Sequence, residues 1–359
     1  MCDPLEQKMN EGVAGGVFSC GQLVVMREGK VVAEYCVGTL YSRNTGVTPE
    51  TLFDLASLTK PLAAATLAMR LVQAGQLDVE APVCRYVPWF SGGHREAVTI
   101  RQLLDHSSGL PAWRPFYETL APLAAAQRGE ELRRLIQGCP LERAPGAAVC
   151  YSDIGFMLLK EGVEAVAVVD VRHQFNEVVR APLGLSDLMY AIDIPGDRAV
   201  AATETCPWRA RTLCGEVHDD NAWAMGGVAL HAGLFGTARA VGRLVWHLVA
   251  HHRDGVPGSP FRREVVGSFL QESQGRGRGM GFDLPSPEGS ASGRYFGPGS
   301  VGHLGFTGTS FWADPSRGMV VVLLTNRVYP SRANLAIRLF RPEVHDLAME
   351  IYGPGVVGP

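Results

Sequence analysis

The β-forming residues of this chain are gathered at its two ends, and that distribution limits the folds open to it. Near the start, "VFSCGQLVVMREGKVVAEYCVGTL" reads as two β-rich runs around a turn at Glu28-Gly29, a hairpin. Near the end, "TGTSFWADP" and "GMVVVLLTNRV" are again β-rich, and the Val/Leu run of the second suits a central strand. Strand character also returns at "GRGMGFDL". Between these, helical patterns broken by Pro and Gly dominate: "VTIRQLLDH", "EELRRLIQG", "DIGFMLLKEGVEAVAVV" and "ARAVGRLVWHLVAHHR". The expectation is an α/β fold of the α+β type. One α/β domain would use residues 1–80 and 270–359, and a mainly helical domain, 81–269, would be inserted. The active site would lie in the cleft between them. Residues 1–12 predict a lead-in helix, "RPEVHDLAMEIY" a closing helix, and 285–302 a Pro/Gly/Ser-rich loop.

Composition narrows the function. The 359 residues, 46% hydrophobic and 19% charged, describe a folded globular protein of about two domains. A net charge of -3 without a basic run excludes nucleic acid as the expected partner. No apolar stretch reaches the roughly 18 residues of a membrane-spanning helix. "MCDPLEQKMNEG" lacks the features of a secretory leader, so the cytoplasm is the expected compartment. Eight cysteines, Cys2 to Cys214, carry no CxxC pair and read as reduced, mostly buried thiols. Ten histidines show no His-Glu-x-x-His spacing, and no Gly-x-Ser-x-Gly elbow occurs. Neither a metal, another cofactor nor an α/β-hydrolase triad is expected.

"FDLASLTKPLAAATLAMRLV", Phe53 to Val72, holds the first chemical signal. Of 33 basic side chains only four are lysine, at 8, 30, 60 and 160. Pro61 is tolerated only in the first turn of a helix, so the helix starts near Ser57 or Leu58 and runs to about Gly75. Ser57 then sits among unpaired N–H groups, and Lys60, three residues on, shares its face. A serine hydroxyl needs a base before it can attack, and a lysine whose pKa is lowered by burial or nearby positive charge can provide one. Arginine cannot. The alternative is a serine cap with a solvated lysine one turn along.

Two further groups stand out. In "PGAAVCYSDIGFMLL", Tyr151 could shuttle a proton if Lys60 lowers its phenol pKa. Equally, Asp153 or Ser152 could cap the following helix, with Tyr151 a core-edge aromatic. In "VGHLGFTGTSFWADP", His303-Leu304-Gly305 precedes a strand. The glycine would let substrate approach the backbone, and a free N–H there, with that of Ser57, would form an oxyanion hole. The alternative is a loop histidine beside turn glycines.

Ser57-x-x-Lys60, Tyr151-Ser-Asp153 and His303-Leu-Gly305, in that order, resemble the three active-site motifs of the serine β-lactamase and penicillin-binding-protein superfamily. The pattern is most similar to the class C β-lactamase branch, with its esterases and D-amino-acid-releasing peptidases. "VTIRQLLDHSSGLP" and "DDNAWAMGGVALHAGLFGTA" are further marks of that branch, and the likeness runs from about residue 12 to 352. The resemblance implies a β-lactamase/transpeptidase-like fold, a central antiparallel sheet flanked by helices. It implies Ser57 as the nucleophile of an acyl-enzyme and Lys60 with Tyr151 as its proton-transfer pair. The N–H groups of Ser57 and Phe306 would form the oxyanion hole. Asp153 stands where many members have asparagine, and there it could hold Lys60 protonated and leave Tyr151 as the base. Trp223 could wall the pocket or equally belong to the core, while His106 and His231 would fasten loops.

The third motif departs from Lys-Thr-Gly, whose lysine and threonine hold a substrate carboxylate. His303 is mostly neutral at pH 7 and Leu304 has no hydroxyl, so an anionic substrate loses two donors. Small, weakly charged carboxylic esters are therefore the first expectation. β-Lactam hydrolysis and D-amino-acid-specific peptidase or amidase action are the alternatives, and Arg327 or Arg332 could restore the carboxylate contact. A non-catalytic binding protein on the same scaffold is a more distant reading.

Overall fold

The computed structural model describes residues 3–41 and 45–355, which leaves Cys2 outside. Helix α1, Pro4–Ala14, begins with Asp3 accepting the Leu5 N–H at 2.8 Å and with proline in its first turn. Strands β1, Cys20–Arg27, and β2, Lys30–Gly38, form the expected hairpin. Its two turn residues, Glu28 and Gly29, have φ of 48° and 75°, the left-handed pair that a tight hairpin turn requires. The chain then enters helices α2, Thr66–Gln73, α3, Asp153–Ala167, and α4, Ala238–Asp254. It returns through β3, Val301–Leu304, β4, Ser310–Asp314, and β5, Met319–Thr325, and closes with α5, Ile337–Tyr352.

All five strands join one antiparallel sheet in the order β2-β1-β5-β4-β3, with the Val/Leu run of β5 at its centre. The strand's period of two explains why β5 is apolar throughout. Met319, Val321 and Leu323 pack with Leu5 and Met9 of α1 and with Phe340 and Val344 of α5. Val320, Val322 and Leu324 point the other way, toward Val241, Leu244 and Val245 of α4. Each such side chain contributes about 1.5–3 kcal/mol on burial. The fold is thus mixed α/β, a sheet covered by helices on both faces, with further helices between α2 and α4 sharing the α4-side cluster.

Two local expectations fail. "GRGMGFDL" forms no strand, only single bridges from Arg278 to Asp283 and from Asp283 to Gly302. Gly277 and Gly281 adopt φ of 66° and 84°, outside the extended region, and break the run. The closing helix begins at Ile337 rather than at Arg341, with Pro342 inside it. Among the seven described cysteines no disulfide occurs; Cys20, Cys139 and Cys206 are buried, and Cys214 is exposed. No helix among the described residues is long and apolar enough to cross a membrane.

Candidate active site

The turn that carries Ser57 is held from below and from the sheet edge. Ala56, just before it, adopts φ of 47°, a left-handed conformation costing an alanine about 1–2 kcal/mol. Asp54, fully enclosed, accepts the Ala56 N–H at 2.8 Å and the His218 N–H at 2.7 Å, which fixes that conformation. After β3, Thr307 donates to the Asp54 carbonyl at 2.7 Å and Thr309 to the Leu55 carbonyl at 3.1 Å. Gly305 is needed for this latch: a Cβ there would stand 1.9 Å from Thr309 Oγ1 and 2.7 Å from the Leu55 carbonyl. Its missing side chain thus serves the chain's own packing, where the sequence suggested room for substrate. Ser57 lies in a single 3-10 turn, Ala56–Leu58, whose Ala56 N–H is taken by Asp54 and whose Leu58 N–H goes to the Leu55 carbonyl at 3.0 Å. A wide π-helical stretch, Lys60–Ala65, absorbs Pro61 before α2 begins.

Lys60 has no exposed surface, which rules out a solvated lysine. Its Nζ donates to Ser57 Oγ at 3.0 Å, Asp153 Oδ1 at 2.7 Å and the His231 carbonyl at 3.0 Å, and lies 4.7 Å from the centre of the Tyr151 ring. Ser152, not Asp153, caps α3 by accepting the Gly155 N–H at 3.1 Å, so the Asp153 carboxylate is available to the lysine. Tyr151 is 37% exposed, its ring stacked on His106 at 4.3 Å, while its hydroxyl interacts with Lys60 and Ser57. Burial alone would lower the Lys60 amine, but Asp153 and Tyr151 outweigh it and raise the amine above its usual range. Burial raises the Tyr151 phenol as well, and Lys60 offsets this only in part. The Tyr151 shift runs opposite to the lowering expected from Lys60, while Lys60 is held protonated by Asp153, as the carboxylate at that position suggested from sequence.

His303 is within edge strand β3, buried, and not in a loop. Its Nδ1 lies 2.9 Å from the Leu304 carbonyl, an acceptor, so Nδ1 carries the proton. Burial pushes its imidazole down to about 4; Asp283 opposes this, while Lys60 and Arg278 add to it. Phe306 follows β3 and is half exposed, its ring under the Arg327 guanidinium at 4.4 Å. His106 and His231 fasten neighbouring segments: His106 Nδ1 accepts the Ser152 N–H at 2.9 Å, and His231 Nε2 pairs with Asp219 at 3.0 Å.

Ser57, Tyr151, Asp153, His303, Gly305 and Phe306 line one pocket of about 610 Å³. Trp223 does not; it packs against Trp208 at 5.3 Å and under Arg209 at 4.8 Å, and Trp113 walls the pocket in its place. A separate cavity of about 1190 Å³, between the Pro/Gly-rich loop and α5, holds none of the motif residues. The far wall of the Ser57 pocket carries Arg327 and Arg332, which the sequence offered for a carboxylate contact, and also Arg338 and Arg341 of α5, which it did not. Among the described residues, no group of three His, Cys, Asp or Glu is placed to hold a metal ion. A hydroxyl bonded to a buried amine, beside a phenol and an open pocket, can form and release an acyl ester.

The Beta-lactamase family profile matches residues 5–342. A Salmonella typhi protein named as a D-alanyl-D-alanine carboxypeptidase is 28% identical over 348 residues, 89% of this chain and 79% of that protein. Among solved structures, EstCE1, described as a hydrolase with promiscuous acyltransferase activity, superposes with a TM-score of 0.76 at 22% identity, covering 96% of this chain and 97% of that one. Simvastatin synthase from Aspergillus terreus gives 0.74 at 19% identity over 99% and 100% of the two chains. At such identities these structures share the fold.

Proposed function

Because the chain belongs to the Beta-lactamase family and is a serine hydrolase, we propose that it hydrolyses small carboxylic esters through an acyl-enzyme on Ser57. The observation that supports this most is the 3.0 Å contact between Ser57 Oγ and a fully buried Lys60 in an open pocket. At rest, the amine is charged and the phenol neutral, so neither accepts a proton. The working form is the one from which the Lys60–Tyr151 pair has lost a proton. Asp153, 2.7 Å from the amine, favours the version with ammonium and phenolate over amine and phenol. Tyr151 then takes the Ser57 proton during attack, passes it to the leaving oxygen and repeats the exchange with water. The N–H groups of Ser57 and Phe306 receive the charge that develops on the carbonyl oxygen.

Esters are preferred over β-lactams because His303, neutral and already bonded through Nδ1, and Leu304 supply neither donor of the Lys-Thr pair. A second reading, cleavage of D-amino-acid peptides, is favoured by the relative named as a carboxypeptidase and by the arginines on the far wall. Kinetics with short-chain p-nitrophenyl esters, nitrocefin and D-alanyl peptides, using Ser57→Ala as control, decide between them. Turnover of nitrocefin or peptide above that of the esters overturns the ester reading.

A further inference from the structure

The segment "GRGMGFDL" forms no strand, yet its single bridges carry a charge to the Tyr151 phenol. The Asp283 N–H donates to the Gly302 carbonyl at 2.7 Å and the Gly302 N–H to the Asp283 carbonyl at 2.8 Å, which joins the segment to the residue before His303. Farther back, the Met280 N–H reaches the Phe269 carbonyl at 2.9 Å and the Gly281 N–H the Leu104 carbonyl at 2.9 Å. Asp283, fixed in this way, forms an ion pair with Arg278. The Arg278 guanidinium lies over the Tyr151 ring, 5.6 Å from its centre. Its side chain is only 18% exposed, and its Nε has no partner among the described residues.

The other charged or titratable groups about this ring are Lys60 at 4.7 Å, Asp153 bonded to that lysine, His106 stacked at 4.3 Å and His303 at 6.1 Å. Asp219, paired with His231, is within reach of the Lys60 charge. Burial holds His303 down to about 4 and His106 well below the usual imidazole range, and Arg278 adds to both effects. Both imidazoles are therefore neutral. Among the described residues, Arg278 is the one cation besides Lys60 placed over the phenol ring.

We propose that Arg278 is a positioning residue for the proton-transfer pair: it supplies to ionised Tyr151 a second positive charge, one that His303 of the third motif does not carry. This rests on the serine hydrolase reading and deepens it, since Tyr151 as phenolate takes the Ser57 proton. An opposite charge within about 4–6 Å favours the ionised form of a group. Arginine keeps that charge at every working pH, so its support does not change as protons move. Asp283 aims the guanidinium and at the same time offsets part of its field. Removing the cation favours the neutral phenol, and removing the carboxylate favours the phenolate.

Two variants should therefore move one titration in opposite directions. In kcat against pH for p-nitrophenyl butyrate, the limb that rises toward alkaline pH should move up by about one pH unit in Arg278→Gln, the low end for a charge at this distance. In Asp283→Asn it should move down by less, because the amide oxygen still accepts from Arg278 and only the opposing charge is lost. Arg278→Lys keeps the charge and should hold the limb near its wild-type place. Independently of turnover, fluorine NMR of protein made with 3-fluorotyrosine follows the phenol itself, its signal identified by its loss in Tyr151→Phe. The Tyr151 titration should shift with the same signs, and it decides where the two readouts disagree. If Arg278→Gln does not fold, the downward shift in Asp283→Asn still judges the proposal. If no ester turns over, the hydrolase reading fails while the fluorine titration still judges Arg278. A titration that stays in place in both variants, however far kcat falls, would leave the ion pair a structural pin and overturn the proposal. So would an Arg278→Lys protein displaced as far as Arg278→Gln.

Discussion

Lys60, buried behind Ser57, and Arg341, on the wall of the same pocket, are both buried cations, and the fold treats them oppositely. Lys60 is met by three acceptors, among them a carboxylate at 2.7 Å, and its charge is strengthened. Arg341 is met by one carbonyl and by the field of another arginine, and its charge is weakened. A buried cation with its own counter-ion belongs to a closed proton-handling cluster, in which the chain supplies every charge. A buried cation without one leaves a charge for something else to supply. The pocket therefore has one end whose cation is matched within the chain and another whose cation is not.

The comparison breaks most decisively at the closed end. Ser57→Ala should reduce p-nitrophenyl ester hydrolysis by about 10⁴-fold or more, and surviving turnover would show that another group attacks. Lys60→Arg keeps the charge and the pairing with Asp153 but changes the geometry and removes any deprotonation. It should cost on the order of 10²–10⁴ in kcat. Near-normal rates would mean that this end merely balances charge.

Asp153→Asn sharpens the same point with a smaller effect. Asp153 raises both Lys60 and Tyr151, so removing its charge lets the pair lose its proton more readily. In the wild type, activity should climb with pH toward the alkaline side as the pair deprotonates. In Asp153→Asn the rising limb should move to lower pH. A limb that stays in place, followed through kcat against pH, would detach the carboxylate from the proton transfer.

The closed end was largely legible because its spacing is local. Pro61 marked the helix start, and a separation of three put Lys60 on the face of Ser57. Its electrostatics were legible in part: the Asp153 carboxylate suggested a protonated Lys60, but the raised Tyr151 phenol comes from burial that the sequence does not display. At the other end of the pocket the sequence pointed to Arg327 and Arg332 but not to Arg338 or Arg341. The closing helix was read from Arg341, whereas it begins a turn earlier, at Ile337, and Arg341 is buried within it. Trp223 was left open between pocket wall and core, because its neighbours in sequence resemble pocket text; its ring packs on Trp208. The central strand was plain in the sequence because a run buried on both faces needs no partner to announce it.

The smallest effect is expected where the two ends meet, at His303→Lys. An added ammonium should favour anionic β-lactams over neutral esters, yet the site resists a cation. Burial holds the native imidazole to about 4, and Lys60 and Arg278 both push in that direction. A lysine there meets the same burial and the same positive neighbours, so part of its charge is lost. Leu304 also still lacks the hydroxyl that would complete the contact. If the arginine wall already holds the anion, one more cation changes little. The ratio of kcat/KM for nitrocefin over p-nitrophenyl butyrate should rise only about fivefold, equivalent to roughly 1 kcal/mol. A ratio that does not move removes charge at position 303 as the reason for ester preference. A rise of hundreds-fold would show instead that the anion had no other holder, and the arginines would lose their part.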